Sequence, residues 1–176
     1  MRRNIEKDAS VTSCTGLVLV LHDHTEEEAH PLSISVSTST LEAYPERYLN
    51  AWNQRDIATA LAVIHPKVHW EDPLLPVPLL DHDGAAGFFG GAWQGFPDLR
   101  FEAVGGPLVD AASGRVASAW RMTGTHTGEF PAGAPISGNA FAVSGTDVWE
   151  VDAEGRATSV HAYYDSLVLL RAIGLA

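Results

Sequence analysis

Residues 139–151 read Asn-Ala-Phe-Ala-Val-Ser-Gly-Thr-Asp-Val-Trp-Glu-Val. Apolar and polar side chains alternate through this stretch, which is the signature of a strand with one buried face. Period two places Phe141, Val143, Asp147, Trp149 and Val151 on the same side. That side is apolar except for Asp147. A carboxyl group held there without a basic partner has its ionised form disfavoured by desolvation, so it can stay protonated near neutral pH and donate a hydrogen bond. A bulge at Gly145 would instead turn Asp147 outward as an ordinary surface acid.

Working outward, three further stretches alternate in the same way: Leu99 to Leu108, Arg115 to Thr125 and Thr158 to Tyr164. Turn-forming residues separate them at Asp110 to Gly114, Gly133-Ala134-Pro135 and Asp152 to Gly155. Upstream the period changes to that of helices. Leu41, Tyr44, Tyr48 and Trp52 form one apolar stripe on a first helix, capped by Ser39 or Thr40 with Pro45 expected in its first turn. Asp56 caps a second helix carrying Ile57, Leu61 and Ile64, which His65-Pro66 ends. Val68 to Glu71 then reads as a strand closed by Asp72-Pro73, and Gly84 to Trp93 as a third helix bearing Phe88, Phe89 and Trp93. Helices followed by hairpin-connected strands predict an α+β domain over residues 38–176, with helices packed on one face of a curved antiparallel sheet. Residues 1–37 change character repeatedly and read as a mostly disordered extension.

Composition narrows the function classes. Eleven Lys and Arg against 22 Asp and Glu leave a formal charge of −11, with no basic cluster, so nucleic acid is not an expected partner. No apolar run is long enough to span a bilayer, and no membrane association is expected. Arg2 and Arg3 before the short run Gly16 to Leu21 imitate a secretory leader poorly, because Glu6 and Asp8 interrupt the basic region. The single cysteine, Cys14, cannot pair within the chain, which fits a cytoplasmic protein.

Several residues can carry chemistry. Asp72 ends a strand, where clefts commonly open, and can act as a general base, although Asp before Pro is also a frequent turn former. Tyr48 lies on a buried stripe, where a phenol needs a hydrogen-bond partner or a cavity. Trp52, Trp70, Phe88, Phe89, Trp93, Trp120 and Trp149 can wall an apolar pocket for a hydrophobic small molecule. His126 and His161 are further acid–base candidates. Neither His22 with His24 nor His65 with His69 forms a metal pair, because Pro66 breaks any helix that would align the second two. No metal is expected, and no nucleophile triad or phosphate-binding glycine loop is present in the sequence.

The stretch Glu46-Arg-Tyr-Leu-Asn-Ala-Trp-Asn53, with Asp56 and Val68-His-Trp-Glu-Asp-Pro73, resembles the opening of bacterial ketosteroid isomerases in the NTF2-like superfamily. Phe96-Pro-Asp-Leu99, Gly124-Thr-His-Thr-Gly128, Pro135-Ile-Ser-Gly138 and the ending Asp165 to Gly174 resemble the SnoaL-like polyketide cyclases of the same superfamily. The resemblance implies a cone-shaped α+β fold with helices packed on the concave side of the sheet, and pairing into a homodimer. It also implies a cofactor-independent enzyme that enolises a hydrophobic ketone by isomerisation or cyclisation, with Tyr48 and Asp147 as oxyanion donors and Asp72 shuttling the proton. The acid–base aspartate of the cyclases falls at Ala162. The same fold also serves as a non-catalytic binding or dimerisation module, which is the alternative reading.

Overall fold

Ser37 accepts a hydrogen bond from the Thr40 amide and starts helix α1 (Thr38–Gln54), so the cap is neither Ser39 nor Thr40. This is seen in the computed structural model of the chain, which describes residues 36–176. The expectations for residues 1–35 of the extension, Cys14 and the His22–His24 pair concern residues that lie outside the described ones, whereas Val36 is buried and Ser37 caps α1. Pro45 is inside α1 and buried, not in the first turn as expected. It leaves the Leu41 carbonyl without its usual helical donor, a cost offset by burying the stripe Leu41, Tyr44, Tyr48 and Trp52. Arg55 ends the helix in the left-handed region (φ 54°) and donates to the Leu99 carbonyl at 2.6 Å. The Asn53 side chain accepts from the Phe101 amide and donates to the Phe101 carbonyl, which clamps the helix end onto the sheet.

Asp56 caps α2 (Ile57–Ala62) by accepting from the Thr59 amide, as its position suggests. The next strand, β1 (Ile64–Glu71), begins earlier than expected and includes Ile64, which the helical spacing had assigned to α2. Pro66 lies within the register irregularity between Ile64 and His69, where no ladder donor is required. Asp81 caps α3 (His82–Gly95), and β2 (Arg100–Asp110), β3 (Arg115–Thr125), β4 (Ala140–Val151) and β5 (Ala157–Tyr164) follow close to the predicted limits. Asp165 then caps a short α4 (Ser166–Ala172), an element the alternation did not reveal.

The sheet order is β1-β5-β4-β3-β2. The three pairings among β2, β3, β4 and β5 are antiparallel, as expected, and β1 joins β5 in parallel at one edge. The outer edge of β1 is covered by the Pro- and Leu-rich loop, through reciprocal backbone bonds of 2.9 Å between Trp70 and Leu79. In β2 the register slips between Val104 and Leu108, where Gly105 adopts φ 78°, a bulge that bends the sheet. The helices cover the concave face, and the core lies between them and that face. Among the described residues no helix is long and apolar enough to cross a membrane.

Candidate active site

The fate of Asp147 depends on the β3–β4 register. That register is continuous, pairing Ser118 with Asp147 and Trp120 with Gly145, so there is no bulge at Gly145. Asp147 therefore faces the concave side and is 5% exposed. Gly145 has a different purpose. A Cβ there would sit 2.5 Å from the Trp120 ring, so only glycine lets the indole lie across β4. From that position Trp120 Nε1 donates to Asp147 Oδ1 at 2.8 Å. Burial pushes the Asp147 carboxyl up to about 7, the Trp120 donor opposes this, and the nearby charge of Asp72 adds to the rise.

Asp72 follows the last residue of β1. Its Oδ1 accepts from the Leu74 amide at 2.9 Å, so it is a turn former, and the same oxygen accepts from the Tyr164 hydroxyl at 2.9 Å. Both donors use Oδ1. Burial raises the Asp72 carboxyl above its ordinary value, with the Leu74 and Tyr164 donors acting against it. Tyr48 comes from α1 and is 1% exposed. Its phenol is held well above the ordinary value, mainly by burial and next by the charge of Asp147. Tyr44, one turn earlier, has a different partner: its hydroxyl donates to the Val63 carbonyl at 2.7 Å and ties α1 to the start of β1.

Tyr48, Asp72 and Asp147 line a single cavity of about 40 Å³, room for a few water molecules as the side chains stand. Trp52, Trp70, Phe88 and Trp120, four of the seven aromatics singled out from the sequence, share its wall. The other three do not line it. Phe89 is fully buried against Trp52 and Trp70, Trp93 donates to the Trp52 carbonyl at 3.0 Å, and Trp149 packs edge-on against Tyr44 and Tyr48. They form the layer behind the wall. Tyr164 is the polar lining residue that spacing alone missed. It is at the end of β5, two positions after Ala162, and an in-register reading of β5 against β4 would have found it.

Neither histidine reaches this cavity. His126 is buried beyond the end of β3, with Nδ1 3.1 Å from the Ser137 hydroxyl and its ring against Phe96. His161 is directed to the outer face of the sheet, because period two sends it opposite to Ala162. Among the described residues, no Lys or Arg lines the cavity, so two carboxyl groups share an aromatic box with no counter-charge.

The fold and this cavity define a class: an NTF2-like α+β cone whose concave face encloses an aromatic pocket with two acids. Residues 46–160 match the SnoaL-like domain model, and the chain belongs to that family. Solved structures agree on the fold. TsrD from Streptomyces laurentii superposes with a TM-score of 0.67 at 19% identity, covering 80% of this chain and 99% of the other. A protein from Jannaschia described as a SnoaL-like polyketide cyclase gives 0.67 at 18% identity, covering 82% and 96%. AclR from Streptomyces galilaeus, described as a hydroxylase, gives 0.65 at 20% identity, covering 80% and 88%. No curated protein matches the chain.

Proposed function

We propose that the protein is a cofactor-independent acid–base enzyme that enolises a neutral hydrophobic ketone, by double-bond isomerisation or intramolecular cyclisation. The observation that carries this reading is the convergence of Tyr48, Asp72 and Asp147, from α1, the end of β1 and β4, on one aromatic cavity. Asp72 is the base. Its Oδ1 is held by Leu74 and Tyr164, and its free Oδ2 takes the α-proton of the ketone. Protonated Asp147 donates to the developing enolate oxygen, its Oδ1 being occupied by Trp120, and Tyr48 supplies a second donor. Desolvation supports both assignments, because it raises Asp147 far enough that the protonated form is well populated near pH 7, while making Asp72 a stronger base than a solvated carboxylate.

The pairing of β4 with β5 supports the cyclase side of the reading. Asp147 is the direct cross-strand partner of Ala162, the position where the resemblance to the cyclases leads one to look for an acid. An acid on β4 thus stands beside the place expected for one on β5. With no Lys or Arg lining the cavity among the described residues, a neutral ketone is favoured over a carboxylate substrate.

The test uses a small bicyclic β,γ-unsaturated ketone, with ultraviolet absorbance reporting the conjugated product. The wild type is expected to turn over and Asp72→Asn to be nearly inactive. Equal rates in both proteins would remove Asp72 from the mechanism. Tight binding of the ketone by both proteins with turnover by neither would favour the non-catalytic binding module.

A further inference from the structure

On the outer face of the sheet, opposite the cavity, β1 and β5 present three side chains that the sequence does not associate. The parallel register pairs Glu71 directly with His161, and His69 lies two residues before Glu71 on the same side of β1. His161 Nδ1 is 3.4 Å from Glu71 Oε2, and His69 Nε2 is 3.7 Å from Glu71 Oε1. One potential ligand atom from each of the three residues lies within 4.8 Å of the other two.

These separations are long for charge-assisted hydrogen bonds, which fall at about 2.8 Å. The two contacts use different Glu71 oxygens, and with one ligand atom from each residue within 4.8 Å of the others, modest side-chain rotation closes the three around a shared ion. A four-coordinate zinc ion holds nitrogen and oxygen donors at about 2.1 Å, so neighbouring donors stand roughly 3.4 Å apart. We propose that His69, Glu71 and His161 form a binding site for a divalent transition metal of the zinc type on the outer face of the β1–β5 pair. Two imidazoles and one carboxylate suit zinc, cobalt, nickel or copper rather than magnesium or calcium, which take oxygen ligands. All three side chains are partly exposed, so an ion has access from solvent.

Three protein ligands leave a fourth position open. Glu71 and His161 also line a cleft of about 300 Å³, bounded by the loop that contains Pro73, Pro76 and Pro78 and by Tyr163. The Tyr163 ring lies 15° from parallel with that of His161, the centroids 6.4 Å apart. A metal held here accepts its remaining ligand, water or an oxygen donor, from the side of this cleft. None of the three ligands belongs to the enolising set, so the site stands or falls independently of the proposed reaction.

The test is titration of the full-length chain, freed of metal with a chelator, with Co²⁺ followed by visible absorbance and with Zn²⁺ followed by calorimetry. One equivalent is expected to bind, with absorption bands of low-coordinate cobalt that zinc abolishes. The His69→Ala/His161→Ala variant is expected to bind at least about 100-fold more weakly, and Glu71→Gln at least about tenfold more weakly. A His22→Ala/His24→Ala variant, which changes other histidines, keeps the full affinity. Circular dichroism verifies folding, and if the double-histidine variant is unfolded, Glu71→Gln decides. Absence of saturable binding below about 100 μM, or unchanged affinity in the ligand variants, overturns the site.

Discussion

The two faces of the β1–β5 pair are built from alternating residues of the same short segments. Inward, Trp70, Asp72, Ala162 and Tyr164 border a cavity where water is scarce; outward, His69, Glu71, His161 and Tyr163 meet solvent. Charged chemistry is therefore divided by parity of position. The inner acids are controlled by desolvation and by donors aimed at one oxygen, Trp120 on Asp147 and both the Leu74 amide and Tyr164 on Asp72. The outer groups are controlled by their distance from one another. A carboxylate within two residues of another can thus serve a different purpose, because the pleat sends one into the aromatic core and the other into water.

The comparison is most easily broken at Asp72. Replacing it by Asn should lower turnover of the ketone by roughly 10²- to 10⁴-fold, the usual contribution of a general base, measured as kcat/KM at pH 7. A loss of less than threefold would mean that the inner face is not organised around this acid.

The next effect concerns stability. The folded-state value of Asp147 is raised from 3.8 to about 7, so its contribution to stability is fully present below about pH 4 and is lost as pH rises through 7. At about 1.4 kcal/mol per pH unit, the loss across that interval is roughly 4 kcal/mol. Asp72 is raised as well and acts in the same direction. Urea unfolding should show the wild type weaker at pH 8 than at pH 5, and Asp147→Asn should flatten most of that slope. An unchanged slope would show that Asp147 is solvated.

Gly145→Ala probes how the inner face is assembled. The added methyl group would displace the Trp120 indole and with it the donor to Asp147, at a cost of about 1–3 kcal/mol in unfolding free energy. The same displacement should raise the Asp147 value further, visible as an upward shift in the carboxyl titration by NMR. Removing the hydroxyl in Tyr164→Phe takes one of two donors from Asp72 and should move the acidic limb of the kcat profile upward while leaving KM nearly unchanged. The smallest effect is expected on the other side: Arg121→Ala, exposed on the outer face of β3, should alter stability by less than about 0.5 kcal/mol and leave turnover intact. A large loss there would show that the two faces are coupled.

Period two along residues 139–151 was enough to place Asp147 on an apolar face, and the same period located β2, β3 and β5, because alternation is a local property of one buried strand face. Asp56 announced its helix for a similarly local reason: a side-chain cap needs only an amide a few residues ahead. Ser37 and Pro45 were misplaced, since several hydroxyl residues compete for a cap and since long-range burial can carry a helix through a proline. Tyr44 and Tyr48 looked alike on one stripe, and the position of the Val63 carbonyl distinguishes the anchored phenol from the one at the cavity.

The sequence by itself determined the alternating strands, the acid on an apolar face and the aromatic residues available to enclose it, all consequences of spacing along the chain. Tertiary structure alone decided that Tyr164 meets Asp72 and that His69 and Glu71 meet His161. Those meetings depend on the parallel return of β1 to β5 and on the register of each ladder, which bring together residues far apart in sequence. A local pattern shows which face a residue takes, but only the pairing of strands supplies its neighbour.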